Sequence, residues 1–305
     1  MEANDPAAIV DMLDAEPTRG PSGQMQMSAQ RAHDWFGFED NPFRDSVNPK
    51  FFFRTDAHEE AYLKMRQCIE EDIAIGLTAA ASGTGKTLLT QILLSDLNPR
   101  CYHPVVILVY PQMTRTALLT EIARELEIEV REGTRVQTLV ANVHRRIIEL
   151  YRRGVKPVLI IDEVHFLKSD SLHLLRTLSN IEVPERKLVT ILLFGEEAFL
   201  DKLEQPRYRA LLSRVFVRAD LRPLTPGEVE QYVKFRCLVA GGNGAIFERD
   251  AFPLIYELSG GIPREINRLC YAAMTRAMAR RRSSIGTDLL AVSRAATETA
   301  QSKSA

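Results

Sequence analysis

The stretch Ala80-Ala-Ser-Gly-Thr-Gly-Lys86-Thr87 constrains this chain more than any other. An apolar, strand-like run over 73–78 precedes it, and a helical stretch over 87–96 follows. A glycine-rich loop between a strand and a helix turns its backbone N–H groups toward phosphate oxygens, with the helix N-terminus behind them. Ala81, Ser82, Gly83, Thr84, Gly85, Lys86, Thr87 and Leu88 would form that cradle. Lys86 reaches the outer phosphates, and the Thr87 hydroxyl is a ligand for Mg²⁺. One residue departs from the motif: Ala80 stands where the first glycine is usual, and the loop is expected to tolerate its methyl group.

The rest of the chain supplies the sheet such a loop needs. Apolar runs rich in Val, Ile and Leu lie at 73–78, 105–110, 158–162, 188–194 and 215–219. Continuous apolar runs of this length fit parallel strands covered on both faces. Helical spacing occupies 58–71, 87–96, 114–127, 136–153 and 170–180 between them. The alternation predicts a doubly wound parallel five-stranded α/β sheet. After Leu221 only helical patterns follow, at 226–239, 250–259, 263–282 and 287–299, which predicts an all-helical C-terminal lid domain. The expected divisions are an acidic, mobile leader over 1–33, the α/β domain over 34–221, the lid over 222–282, and a last helix and tail over 283–305. Within the leader, Ile9, Val10, Met12 and Leu13 read either as unstructured chain or as a helical turn that docks on a partner.

The run Val158-Leu-Ile-Ile161 ends in Asp162-Glu163. That places paired carboxylates at the C-terminal edge of the sheet, where α/β folds bind ligands. Asp162 is expected to hold Mg²⁺, and Glu163 to act as general base toward an attacking water.

Charge and composition narrow the partners. With 39 basic against 40 acidic residues the net charge is −1, which argues against a bulk nucleic-acid binder. The balance is segregated: residues 1–60 carry twelve acids and five bases, so the remainder is net positive. Cys68, Cys101, Cys237 and Cys270 are widely spaced and fit reduced thiols rather than a zinc or redox motif. No apolar run reaches the roughly 20 residues that span a bilayer. The acidic N-terminus is unlike a secretion signal, so the expected place is the cytoplasm, without membrane insertion.

Several stretches together resemble the AAA+ ATPases. Gly261-Ile-Pro-Arg264 is similar to their sensor-2 motif. Phe36-Gly-Phe-Glu-Asp-Asn-Pro-Phe43, Leu175-Arg-Thr-Leu-Ser-Asn180 and residues 260–270 resemble more closely the ExeA-like ATPases of general secretion pathway A type, relatives of the transposition ATPases TnsC and TniB. The resemblance covers about residues 34–282. It implies ATP with Mg²⁺ bound and hydrolysed between subunits of a homo-oligomer, a ring or a filament. Arg264 would contact the γ-phosphate, and Arg214 would be the arginine finger reaching a neighbouring subunit's nucleotide, with Arg209 a second candidate. Where the family usually has a neutral polar residue after the glycine ending its fourth strand, this chain has Glu196, expected to repel the γ-phosphate and slow turnover. Secretion members continue into a membrane segment and a peptidoglycan-binding part, and this sequence ends at Ala305, so a cell-wall role is not expected.

The implied function is an ATPase that drives or switches the assembly of a protein client, of secretion or surface-assembly type. The alternatives are a DNA-bound ATP switch of transposition target-selection type and a slow-turnover, nucleotide-gated scaffold. For the first, Arg276 and Arg280-Arg-Arg282 could contact duplex DNA, or could simply complement a helix end. One ring of Phe51-Phe-Phe53 could line a base pocket, or all three could be core. His103 and His165 read as packing or surface residues, without metal-ligand spacing.

Overall fold

The computed structural model describes residues 31–290. The leader through residue 30, including the Ile9–Leu13 turn, and residues 291–305 of the last expected helix lie outside the described residues.

Five parallel strands form one sheet: β1 Ile75–Ala80, β2 Tyr102–Leu108, β3 Lys156–Asp162, β6 Thr190–Gly195 and β7 Val215–Leu221. Their order across the sheet is β2-β3-β6-β1-β7. The three central strands β3, β6 and β1 are buried along their whole length, as their uninterrupted apolar composition predicts. Two apolar clusters clad the sheet. One packs Leu118, Ile122, Val143, Ile147 and Leu175 against one face, and the other packs Met65, Ile69, Leu89 and Leu93 against the opposite face. Each such leucine or isoleucine contributes about 1.5–3 kcal/mol when fully buried.

Two further strands escape sequence reading. β4 Glu182–Val183 and β5 Arg186–Lys187 form an antiparallel hairpin of two residues a side. Such a short polar hairpin carries no detectable period. At the same end of the sheet, Lys156 is buried and donates to Ile69 O and Asp72 Oδ1, and Arg186 of the hairpin donates to the same Asp72 oxygen.

Helices follow Leu221: Pro226–Val239, Ala251–Ser259, Pro263–Ala279 and the short Thr287–Leu290. The first opens on a capping box, in which Thr225 accepts from Glu228 N and the Glu228 carboxylate accepts from Thr225 N. These helices share a core of Val233, Ile255, Ile266 and Met274. That same core takes in Ala32, Phe38, Phe43 and Phe51. The sequence division is corrected here. The segment from the Ala32–Trp35 helix to Phe51 shares the lid core, with its end at Pro49–Phe51 also touching the Lys86–Asp96 helix, and its first residues belong to a folded helix rather than to a mobile leader. Nothing in the periodicity of so short an aromatic segment tells which core receives it.

Candidate active site

Parallel strands deliver their C-terminal ends to one edge, so residues following β1, β3 and β6 converge there. The loop after β1 runs into the Lys86–Asp96 helix, with Gly83 and Gly85 at φ +81° and +110°. A side chain at Gly83 would be strained and would also meet Arg264 Cβ at 2.8 Å. Ala80 is the last residue of β1 and is buried in the core, so its methyl group packs where the motif's glycine would leave space. Its φ is not positive, and the backbone there needs no glycine.

Lys86 is buried, and its Nζ donates to the carbonyls of Ala80 and Ala81 at 2.9 and 3.0 Å. Burial pushes its pKa down, while Glu163, Glu196 and Asp162 pull it up. Thr87 Oγ1 donates to Asp162 Oδ2 at 3.0 Å, tying the helix start to the end of β3. A hydroxyl and a carboxylate side by side are hard oxygen donors of the kind Mg²⁺ uses, so these residues fit that ion. Glu163 follows at φ +56°, an uncommon conformation for a residue with a side chain, and its N–H donates to Asp162 Oδ1.

His165 belongs to this group, against the expectation that it is a packing or surface residue. Its Nδ1 lies 3.3 Å from Glu163 Oε2, without hydrogen-bond alignment, and its Nε2 lies 4.0 Å from Glu196 Oε2. Glu196 follows β6, the strand between β3 and β1, which explains why it faces the same space.

A second histidine was invisible to motif reading. His58, near the start of the Asp56–Glu70 helix, is buried beneath the phosphate loop. Its Nε2 is 3.1 Å from Thr84 O, which can only accept, so Nε2 carries the hydrogen and Nδ1 accepts from Thr55 Oγ1. Burial pushes its pKa below the usual 6.5, and the bond to Thr84 opposes the shift.

The lid closes the site from the other side. Arg264 Nη1 donates to Ser82 Oγ at 3.2 Å, and Arg264 N donates to Gly83 O at 3.3 Å. Between loop and lid lies a cavity of about 270 Å³. Ser82, Gly83, Gly85, Lys86, Thr87 and Leu88 line it together with Glu163 and Arg264, and Val47, Tyr232, Arg236 and Asn267 also contribute to its wall. Ala81 and Thr84 do not line it. They brace the loop from within, through Thr84 Oγ1 donating to Ala81 O.

Other expected residues lie elsewhere. No ring of Phe51–Phe53 lines the cavity: Phe51 is in the lid core, Phe52 packs on His58, and Phe53 packs on Tyr232 and Phe235. Arg214 immediately precedes β7, whose start pairs with Ile75 at the far end of β1. About six residues at roughly 3.3 Å each put it some 20 Å from its own phosphate loop. His103 Nε2 is 2.9 Å from Glu125 O, at a helix end outside the site. Arg276 donates to Leu289 O, and Arg280 and Arg282 lie 3.8 and 3.5 Å from Asp288, so these bases tie the last helices together.

Residues 71–203 match the family model described as AAA domain. Over 246 residues, 81% of this chain, the sequence is 32% identical to general secretion pathway protein A of Aeromonas hydrophila, and it spans 45% of that protein's length. Among solved structures, the fold resembles the Aeropyrum pernix ORC2 protein in its ADPNP–ADP complexes, with TM-score 0.63, 16% identity, and 83% and 71% of the two chains covered. It also resembles the Aeropyrum pernix ORC1 protein in complex with DNA, with TM-score 0.59, 20% identity, and 88% and 70% covered.

Proposed function

Because this chain carries an AAA domain in an AAA+ fold and is a relative of general secretion pathway protein A, we propose that it binds and hydrolyses ATP at the loop–lid cavity and uses the cycle to switch a protein assembly. One observation carries the reading: the phosphate loop, the Asp162–Glu163 carboxylates and the lid residue Arg264 meet at a single cavity.

The triphosphate lies along the loop, its oxygens taking N–H bonds from residues 82–88 and the Lys86 ammonium. Lys86 then exchanges its bonds to the Ala80 and Ala81 carbonyls for phosphate oxygens. Thr87 and Asp162 would hold Mg²⁺, which neutralises developing charge on the phosphates when bound. Glu163 orients a water and takes its proton. Arg264 joins lid to triphosphate, so loss of the outer phosphate removes that bond and leaves the lid held to the loop by its contacts to Ser82 and Gly83 alone. Its planar donor fork suits phosphate oxygens.

Arg214 cannot serve its own site across the sheet, so the reading gives it, or Arg209, to the nucleotide of a neighbouring copy in a ring or filament. A protein client of secretion or surface-assembly type follows from the relative's name, at the level of a proposal, because this chain spans less than half of that protein. The DNA-bound alternative rests on the resemblance to the transposition ATPases, and the bases it would use, Arg276, Arg280 and Arg282, have partners within the lid.

The test is Glu163→Gln with purified protein. ATP binding is retained, and turnover falls by roughly 10²–10⁴. Turnover at the unaltered rate removes Glu163 from the mechanism. An unaltered protein that assembles with ATP but does not hydrolyse it is the scaffold, not the ATPase.

A further inference from the structure

The edge strand β7 carries one residue more than its neighbour β1 can match. Ile75 pairs with Val215 and Gly76 with Val217, so Phe216 stands between them without a partner, as in a β-bulge. Val215 packs against the apolar cluster on one face of the sheet and Val217 against the cluster on the other, which leaves Phe216 to neither. It is 81% exposed, more than any other large apolar side chain among the described residues. A bulge at a sheet edge re-aims a side chain, and here it holds an aromatic ring in water, where the ring contributes no burial to a single copy.

The surroundings of Phe216 are basic. Arg214 stands two residues before it, Arg209 lies just ahead of the strand and Arg218 lies within it. Among the described residues none of the three has a carboxylate within ion-pair distance. The opposite edge of the sheet carries the complement. There β2 turns Val105 and Ile107 into the core, while Val106 and Leu108 on its other face are exposed, Leu108 by 68%, with exposed Tyr110 just past the strand. Leu108 pairs with Asp162, so this apolar strip ends beside the Asp162–Glu163 carboxylates, and Glu196 and Glu197 follow β6 on the far side of β3. The spacings agree too. Two residues of strand put Arg214 and Phe216 about 6–7 Å apart, and adjacent strands put Leu108 about 5 Å from Asp162.

We propose that Phe216 anchors a contact between copies of this chain, packing on Leu108 and Tyr110 of the next copy as Arg214 reaches that copy's nucleotide. The two surfaces differ, so the contact repeats head to tail rather than closing a twofold pair. It rests on the assembly reading above and gives that assembly its apolar surfaces.

The experiment is sedimentation of the full chain with ATP and Mg²⁺ over a series of protein concentrations. Phe216→Ser and Leu108→Ser bind ATP within about twofold of the unaltered chain and need about tenfold or more protein to assemble. Their turnover, low in dilute solution, returns as protein concentration rises, which a loss within the reacting site would not do. A short bismaleimide then reads the pairing in a Cys101→Ser background, since the other three cysteines are buried. Phe216→Cys and Leu108→Cys cross-link when mixed at high concentration with ATP, and neither cross-links alone. Assembly of Phe216→Ser at the unaltered concentration, a cross-link by Phe216→Cys alone, or none in the mixture overturns the anchor and leaves the assembly reading standing. An unaltered chain that binds ATP and stays monomeric at every concentration overturns the assembly reading, and the anchor with it.

Discussion

Arg264 of the lid donates to Ser82 Oγ of the phosphate loop at 3.2 Å, across 182 positions of sequence. The contact joins the two parts of the chain at the place where a γ-phosphate would lie. With triphosphate bound, the guanidinium exchanges a neutral hydroxyl for charged oxygens, a stronger hydrogen bond. Arg264→Ala is therefore expected to weaken ATP binding by about 1.5–3 kcal/mol, roughly tenfold to a hundredfold. ADP, lacking the outer phosphate, should lose much less. Titrating both nucleotides by calorimetry checks this, and equal losses would take Arg264 away from the γ-phosphate.

Glu196 adds a third carboxylate to the field that Asp162 and Glu163 already place around Lys86. Its charge opposes an incoming triphosphate at close range. A single unit charge a few ångströms away, at the partly exposed rim, is worth about 1 kcal/mol. Glu196→Gln should then tighten ATP binding about fivefold, with the gain shrinking as salt rises. It also frees His165 from one of its two acidic neighbours. Unchanged affinity at low salt would show that His165 or the cation already cancels Glu196.

His58 sets a pH limit on the loop. Its pKa in the folded protein lies below 6.5, so on acidification the unfolded chain takes up the proton first. The stability it contributes is fully present above pH 6.5 and is lost as pH falls from there to the folded value. The effect is local, because the protonated ring would be buried against Thr84. Urea midpoints measured above and below that window should converge in His58→Gln, which retains an N–H donor but cannot titrate. An identical pH slope in both proteins would mean that another group sets the limit.

The pattern of what sequence revealed follows from the range of the interactions. Lys86, Thr87, Asp162 and Glu163 were legible because each lies at the end of a strand or just past the short loop after one, and strand ends in a parallel sheet share one edge. The three central strands were legible for the same reason that they are central: burial on both faces leaves uninterrupted apolar runs, whereas the edge strands β2 and β7 are only partly buried and were legible from their apolar residues alone. His58, Tyr232, Arg236 and Asn267 were not, because their places at the site depend on pairings across 26 to 194 positions. No local spacing encodes such pairings. His165 was judged by spacing alone and so missed; it meets Glu196 only because β6 inserts between β3 and β1. The motif around Phe36–Phe43 was noticed as wording, and only its packing in the lid core shows its use, which is to bring Asp45, Ser46 and Val47 to the cavity wall.

Arg214 gives the sharpest test of assembly. It lies at the start of β7, and the phosphate loop follows the far end of the neighbouring β1, about 20 Å away along strands of roughly 3.3 Å per residue. No side chain crosses that distance, so any catalytic part Arg214 plays must be toward another copy. Lys86→Ala removes a site but leaves its own Arg214 intact, and Arg214→Ala does the converse. Each protein alone should be inactive. Mixed in equal amounts and allowed to exchange, they form some interfaces with an intact loop on one side and an intact arginine on the other. Random head-to-tail pairing makes these about a quarter of all interfaces, so activity should return to roughly that fraction of the unaltered protein. The same mixture made with Arg209→Ala distinguishes the two candidates: only the true finger is inactive alone and rescued in the mixture. An Arg214→Ala protein that is inactive and never rescued has lost its fold or its assembly, and one that is fully active leaves the role to Arg209.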